Sequence, residues 1–159
     1  MHILVVGGGM GGTILANNLA RRLSGELEQG SSKITMLSAS DKHMYQPGLL
    51  YVAVGKMSTS ELYRDQKSLL EPSIDFHVDP VEKFDLDNNS VTTKSGKKIS
   101  YDIICIATGS RGNAAGIPGL AENACQFYTE ADALAMYKKL QKFEGGKVVV
   151  ATGVPHKCP

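Results

Sequence analysis

The stretch that decides the fold is Ile3-Leu4-Val5-Val6-Gly7-Gly8-Gly9-Met10-Gly11-Gly12. Its first four residues form a wholly apolar run that ends in glycine, which is typical of a buried parallel strand. Residues 13–23 continue with an apolar stripe at helical spacing, made by Ile14, Leu15, Leu19 and Leu23. Residues 33–37 then predict a second strand, so this region is expected to form one βαβ unit.

Three glycines of this stretch, Gly7, Gly9 and Gly12, match the pattern Gly-x-Gly-x-x-Gly. In a βαβ unit the first permits a tight turn, the second lets the backbone approach a pyrophosphate, and the third allows close packing of helix on strand. The start of the helix presents its free N–H groups to the phosphates. Because the glycines follow a strand and precede a helix, they predict a dinucleotide site. The alternative is a glycine-rich turn without a ligand.

The second strand is followed by Ser38, where such sites usually have a carboxylate that accepts a hydrogen bond from the ribose. A serine hydroxyl can also accept one, although more weakly. No arginine stands beside it to hold a ribose phosphate, which disfavours NADP.

The pattern changes after this unit. Residues 38–60 are expected to be irregular, and residues 61–70 to form a short helix. A strand is predicted at 74–78 and a buried strand at 101–107. Between them, residues 83–86, 91–93 and 98–100 predict a small antiparallel meander. A helix is predicted at 130–141, and it begins with a Thr129-x-x-Asp132 cap. The expected fold class is therefore α/β, with a parallel sheet, helices and a small β-meander.

The last apolar run, at residues 147–151, predicts one more strand, and the sequence stops eight residues later. We interpret residues 1–145 as one Rossmann-like domain and residues 146–159 as the first strand and turn of a second Rossmann-like domain. The chain is accordingly expected to be the N-terminal part of a longer protein.

Composition excludes several classes of function. The formal net charge is +1, so nothing favours a nucleic-acid partner. No apolar run is long enough to span a membrane, and the first residues do not resemble a signal peptide. Three cysteines argue against a disulfide framework, and no Cys/His spacing indicates a metal site. The expected location is cytoplasmic or at the membrane periphery.

The final turn, Thr152-Gly153-Val154-Pro155-His156-Lys157-Cys158-Pro159, has a single glycine. Pro155 has no N–H to offer a phosphate. Cys158 stands beside Lys157 and His156, and nearby positive charge favours the nucleophilic thiolate. This arrangement favours an electron donor that reacts with sulfur over a nicotinamide. The alternative for Cys158 is a structural thiol in a turn.

Several stretches together resemble the sulfide:quinone oxidoreductases, within the flavoprotein disulfide reductase superfamily. The matching stretches are Val5–Gly9, Asp41–Gly48, Val91–Lys98, Tyr101–Gly109 and Pro155–Pro159. The resemblance implies an FAD-dependent enzyme that oxidises sulfide at a redox disulfide and passes electrons to a quinone. It also implies contact with the membrane surface through a C-terminal part absent here, and it is compatible with a homo-oligomer. Alone, the chain is expected to hold FAD poorly and to be inactive.

The resemblance also assigns roles to individual residues. It places the FAD pyrophosphate at Gly7, Gly9 and Gly12, and the ribose at Ser38. It further assigns the adenine to the backbone of Val81, the flavin to Pro47 and Gly48, and the phosphate–ribityl part to Thr108 and Gly109. Cys158 would be one half of the redox pair.

The other cysteines have open interpretations. Cys125 lies three residues before Tyr128, the position where many members of the family have a further cysteine, and it is either redox-active from a shifted loop or a bystander. Cys105, in a predicted strand, is interpreted as a small core residue. Two other functions stay open as well: an FAD-dependent NADH:quinone oxidoreductase, and a non-catalytic dinucleotide-binding module.

Overall fold

A computed structural model describes residues 1–151, except for the side chain of Ala115. The strands are β1 (His2–Val6), β2 (Lys33–Ser38), β3 (Lys42–Met44), β4 (Tyr63–Asp65), β5 (Ile74–Val78), β6 (Val81–Asp85), β7 (Ser90–Thr93), β8 (Lys98–Ser100) and β9 (Ile103–Ile106). The α-helices are α1 (Met10–Arg22), α2 (Ser24–Glu28), α3 (Leu49–Ala53), α4 (Leu120–Asn123) and α5 (Glu130–Gln141). Short 3₁₀ turns span Gln46–Gly48, Thr59–Leu62, Lys67–Leu69 and Ala114–Gly116.

A parallel sheet organises the described part of the chain, with the strand order β5-β2-β1-β9. The central strand β1 pairs in parallel with both β2 and β9. Its last residue, Val6, is opposite Leu37 on one side and Ile106 on the other. The loops that follow these three strands therefore begin at the same edge of the sheet, which is where ligands bind in such folds.

Both faces of this sheet are covered. On one face Ala16 and Ala20 of α1 pack against Ile3 and Val5 of β1, and all four are buried. The small alanines let the helix lie close to the sheet. On the other face Leu4 and Val6 pack with side chains from the antiparallel sheet β6-β7-β8, chiefly Val91 and its neighbours. The predicted α/β fold with a β-meander is confirmed.

A third group of buried residues lies where α3 and α5 pack together, and it consists of Leu49, Val52, Ala53, Leu62 and Ala133. The predicted cap of α5 is present. The Thr129 hydroxyl accepts a hydrogen bond from the Asp132 N–H at 3.2 Å, and the Asp132 carboxylate accepts one from the Thr129 N–H at 3.2 Å.

The helix predicted at residues 61–70 is wrong. Ser58 and Glu61 form a capping box, but it begins only the 3₁₀ turn Thr59–Leu62. The chain then becomes strand β4, which pairs antiparallel with β3. The region 38–60, expected to be irregular, thus contains β3 and α3. Pairing with a partner distant in sequence overrides local helical preference here.

Two other strand predictions differ from the structure. Residues 101–107 were expected to form a buried strand, but Ile103 and Ile106 of β9 are 46% and 56% exposed. The reason is that β9 is at the edge of the sheet in the described part of the chain. Residues 147–151 form no strand, and Val148–Val150 are exposed. The predicted division at residue 145 stays a prediction.

No helix among the described residues is long and apolar enough to cross a membrane.

Candidate cofactor site

A cleft of about 540 Å³ lies at the carboxyl edge of the parallel sheet. It brings together residues from four separate parts of the sequence: the glycine loop after β1, the end of β2 with the following loop, the turn between β5 and β6, and the end of β9. Of the residues predicted to bind a cofactor, the cleft is lined by Gly7, Gly9, Ser38, Pro47, Val81, Thr108 and Gly109.

Gly7 forms the sharp turn at the end of β1. Its φ of +117° is a conformation that other residues rarely adopt. A Cβ atom at this position would lie 2.2 Å from the carbonyl oxygen of Ala107. Glycine is therefore required here both by the backbone conformation and by the close approach of the chain after β9.

Gly12 lies in the first turn of α1, behind the cleft and not in its lining. A Cβ atom there would lie 1.9 Å from the carbonyl oxygen of Gly7. This close approach of helix to loop is the packing that the third glycine was expected to permit.

Gly9 occupies the N-cap position of α1, and no side chain forms a hydrogen bond with the N-terminus of this helix. A Cβ atom on Gly9 would meet nothing within 4 Å, so the loop is open towards the cleft at this point. The first N–H groups of a helix lack partners within the helix and attract anions. A 13-residue helix thus begins at the wall of the cleft with its positive end exposed.

Ser38 is 7% exposed and lies directly beside the glycine loop. Its hydroxyl accepts a hydrogen bond from the Ser40 N–H at 3.2 Å. A Cβ atom on Gly8 would lie 2.4 Å from the Ser38 Oγ. The absence of a side chain at Gly8 is what leaves room for the serine at this end of β2.

The 3₁₀ turn Gln46–Gly48 contributes only part of what was predicted. Pro47 lines the cleft, whereas Gly48 is buried and is not among the lining residues. A Cβ atom on Gly48 would lie 2.5 Å from Leu62 Cδ2 and 3.0 Å from Met57 Sδ. Gly48 is therefore placed as a packing residue of the α3 region.

The turn before β6 places Val81 in the cleft wall. This turn is held by Asp79, whose carboxylate accepts hydrogen bonds from the Ser95 hydroxyl at 2.5 Å and the Ser95 N–H at 3.1 Å. The Lys94 N–H donates to the Pro80 carbonyl at 2.8 Å. The hydrogen bond from the Ser95 hydroxyl lowers the pKa of Asp79 below its ordinary value.

Neither of the two cysteines in the described part of the chain lines this cleft. Cys125 is exposed and borders a separate shallow pocket of about 140 Å³ together with Asp132, Met136 and Lys139. Cys105 is half-buried on β9 and packs against the buried residues beside the parallel sheet, as expected of a small core residue. Both are free thiols. Cys158, the predicted catalytic residue, lies outside the described residues.

Other residues of the site were not singled out from the sequence. Met10, Lys42, Met44 and Phe84 also line the cleft. Behind the glycine loop, Thr13, His43 and Gln66 form a hydrogen-bonded group, and Gln66 is fully buried. Nothing in the sequence connects these three residues, because they are up to 53 positions apart. Among the described residues no cluster of His, Cys, Asp or Glu could hold a metal ion.

A parallel sheet with a glycine loop and a helix N-terminus at its carboxyl edge defines a Rossmann-like nucleotide-binding fold. The sequence profile of the pyridine nucleotide-disulphide oxidoreductases matches residues 1–154. The chain therefore belongs to the pyridine nucleotide-disulphide oxidoreductase family.

Among known proteins, the chain is similar to the sulfide-quinone reductase of Aquifex aeolicus, with 37% identity over 152 residues that cover 94% of this chain and 34% of the relative. It is 30% identical to the mitochondrial sulfide:quinone oxidoreductase of Mus musculus over 163 residues, covering 99% of this chain and 35% of the relative. The X-ray structure of the Aquifex aeolicus sulfide:quinone oxidoreductase matches with a TM-score of 0.73 and 33% identity, over 89% of this chain and 32% of that one. The chain spans about a third of the length of these relatives.

Proposed function

We propose that the cleft binds FAD and that the protein containing this chain oxidises sulfide and reduces a quinone. The main observation in support is the cleft itself. The cleft is lined by the open glycine loop, by the start of α1, which has no side-chain cap, and by the ends of β2 and β9. The chain that forms it is similar to sulfide:quinone oxidoreductases.

The residues around the cleft fit the adenosine diphosphate half of FAD. Gly9 leaves the space that a diphosphate needs, and the N-terminus of α1 offers N–H groups to it. The Ser38 hydroxyl would accept a hydrogen bond from the ribose, and the backbone of Val81 would face the adenine. Lys42, also in the lining, is a cation near this half of the site.

The flavin half would extend past Thr108 and Gly109 towards Pro47. When bound, FAD would supply the capacity to take two electrons from one substrate and give them to another. The part of the chain described here would bind and orient the cofactor. Reaction with sulfide is assigned to Cys158, with Cys125 as a second candidate thiol.

The electron donor decides between this function and its nearest alternative. The natural full-length gene product, purified with its flavin, is mixed anaerobically with sulfide or with NADH. The flavin absorbance at about 450 nm is followed during the reaction. We expect sulfide alone to bleach the flavin and a soluble quinone to restore the absorbance.

Bleaching by NADH and not by sulfide would instead identify an NADH:quinone oxidoreductase. A purified protein without flavin absorbance, and unable to take up added FAD, would leave the non-catalytic module as the correct interpretation.

A further inference from the structure

A buried polar group lies directly behind the glycine loop. The Gln66 Nε2 donates to the Thr13 Oγ1 at 2.9 Å, and the Gln66 Oε1 is 3.0 Å from the His43 Nδ1. The carbonyl oxygen of Gly8 lies 3.1 Å from the same His43 nitrogen and 3.3 Å from the Thr13 hydroxyl. Gln66 is fully buried and Thr13 is 7% exposed. Two side chains, Thr13 and His43, thus contact one carbonyl of the loop, and the third, Gln66, contacts both of them.

The chemistry of these atoms determines where the protons lie. A carbonyl oxygen can only accept a hydrogen bond, so the His43 nitrogen beside Gly8 must be the donor. Nδ1 therefore bears the proton, and this single proton is shared between the two oxygens that lie 3.1 Å and 3.0 Å away. The Gln66 atom beside it must then be its oxygen, which leaves the Gln66 amide nitrogen to donate to Thr13. The Thr13 hydroxyl uses its own proton on the Gly8 carbonyl.

Fixing the Gly8 carbonyl also fixes the next N–H group. The carbonyl of Gly8 and the N–H of Gly9 belong to one planar trans peptide unit and point in opposite directions. With the carbonyl held by Thr13 and His43, the Gly9 N–H is turned away from these two side chains, and Gly9 itself lines the cleft. Among the described residues this N–H has no hydrogen-bond partner.

We propose that Thr13, His43 and Gln66 are positioning residues that hold the Gly8–Gly9 peptide so that its N–H faces the diphosphate of the bound nucleotide. The inference rests on the proposed nucleotide site and adds the residues that set its affinity. Glycine has the most backbone freedom of any residue, so a run of three glycines loses much entropy when it is ordered around a ligand. The three side chains order the loop before the ligand arrives, which strengthens binding.

The first test needs no ligand. In the isotope-labelled 159-residue chain, the ¹⁵N shifts of the His43 ring are expected to show a protonated Nδ1 near neutral pH. Thr13→Val, which removes the hydroxyl and keeps the side-chain shape, is expected to shift the Gly9 amide resonance, whereas Thr13→Ser should leave it close to the original. An unprotonated Nδ1, or a Gly9 amide that does not respond to Thr13→Val, would overturn the proposal.

The second test compares ADP, which contains the diphosphate, with adenosine, which does not, by NMR titration. We expect Thr13→Val to weaken ADP binding about fivefold, the effect of one lost hydrogen bond, and to leave adenosine binding unchanged. Thr13→Ser should retain the original ADP affinity. Thr35→Val is the matched control, because it removes another buried threonine hydroxyl, bonded at 2.8 Å to the His2 Nε2 and outside the cleft lining.

The outcomes separate this inference from the proposed function. If the unaltered chain does not bind ADP, the nucleotide site fails, and the role towards a diphosphate fails with it. If it binds ADP and Thr13→Val weakens ADP and adenosine equally, the group is merely structural and the proposal is wrong. Should Thr13→Val not fold, ADP and adenosine binding are compared for His43→Leu and His43→Asn instead. Asparagine can still donate a hydrogen bond to the Gly8 carbonyl, whereas leucine cannot.

Discussion

Two adjacent glycines in the first turn of α1 have opposite requirements. A Cβ atom on Gly12 would lie 1.9 Å from the Gly7 carbonyl oxygen, whereas one on Gly11 would meet nothing within 4 Å. Glycine is therefore needed only at position 12, where the helix approaches the loop. At Gly11 nothing opposes a side chain, and alanine is favoured over glycine within a helix.

We expect Gly12→Ala to lower the free energy of unfolding by about 2 kcal/mol, because the helix must move away from the loop to admit the methyl group. Gly11→Ala, one position away, is the control and should raise it by up to about 1 kcal/mol. Urea unfolding followed by circular dichroism measures both. Equal effects of the two substitutions would show that the contact between Gly12 and Gly7 is unimportant.

Asp79 leads to a prediction about pH. Its pKa is lowered below 3.8, chiefly by the hydrogen bond from the Ser95 hydroxyl. A carboxyl group whose pKa is lower in the folded state stabilises the fold above its unfolded pKa, and this contribution is lost as pH falls through the folded pKa. The turn before Val81 should accordingly loosen only below about pH 3.8.

Replacing Ser95 with alanine should raise the pKa of Asp79 towards 3.8, because the hydroxyl donor is lost. The pKa is measured from the carboxyl ¹³C resonance during an acid titration. Asp85 provides the control, since its pKa is lowered by a separate hydrogen bond from Asn88 and should not change. An unchanged pKa at Asp79 would contradict the assignment.

At the residue scale, the sequence predicts what is local. Gly7, Gly9 and Gly12 could be assigned because the reasons for them lie within one strand, one turn and one helix. Gln66 could not, because its burial depends on Thr13 and His43, which the fold brings to it from 53 and 23 positions away. The packing of Gly48 was not predicted for the same reason, since Met57 and Leu62 determine its surroundings, and its place near the flavin stays a prediction.

At the scale of the elements, α5 begins at a capping box that sequence alone predicted. Its Thr129–Asp132 pair forms both expected hydrogen bonds. The similar Ser58–Glu61 pair begins no α-helix, because the residues after it pair with β3 instead. A cap therefore indicates where a helical turn starts, whereas tertiary contacts decide how far the helix continues.

We expect Thr129→Ala to destabilise the fold by about 1 kcal/mol, through loss of the hydroxyl that accepts from the Asp132 N–H. Thr129→Ser should restore most of this stability, because serine offers the same acceptor. Thermal unfolding of the three proteins gives the comparison. If alanine and serine behave alike, the cap does not stabilise α5.

At the scale of the whole molecule, the proposed reaction with sulfide depends on Cys158. In the natural full-length protein, Cys158→Ser is expected to reduce sulfide-dependent quinone reduction at least about a hundredfold, since the hydroxyl is a far weaker nucleophile than the thiolate. Flavin content, read from the visible spectrum, should stay normal. Cys105→Ser, on β9, is the control. Full turnover in the Cys158 variant would remove the catalytic assignment.

The edge position of β9 has a practical consequence for anyone who handles this polypeptide at high concentration. In the part of the chain that the structure describes, β9 is an outermost strand with two exposed isoleucines, Ile103 and Ile106. A second polypeptide can add a strand to such an edge, and edges of this kind promote aggregation. Lysine in place of Ile106 would oppose the addition of a strand from a second polypeptide. It should cost the fold little stability, because Ile106 is already more than half exposed. It is the substitution to introduce before crystallisation or prolonged storage.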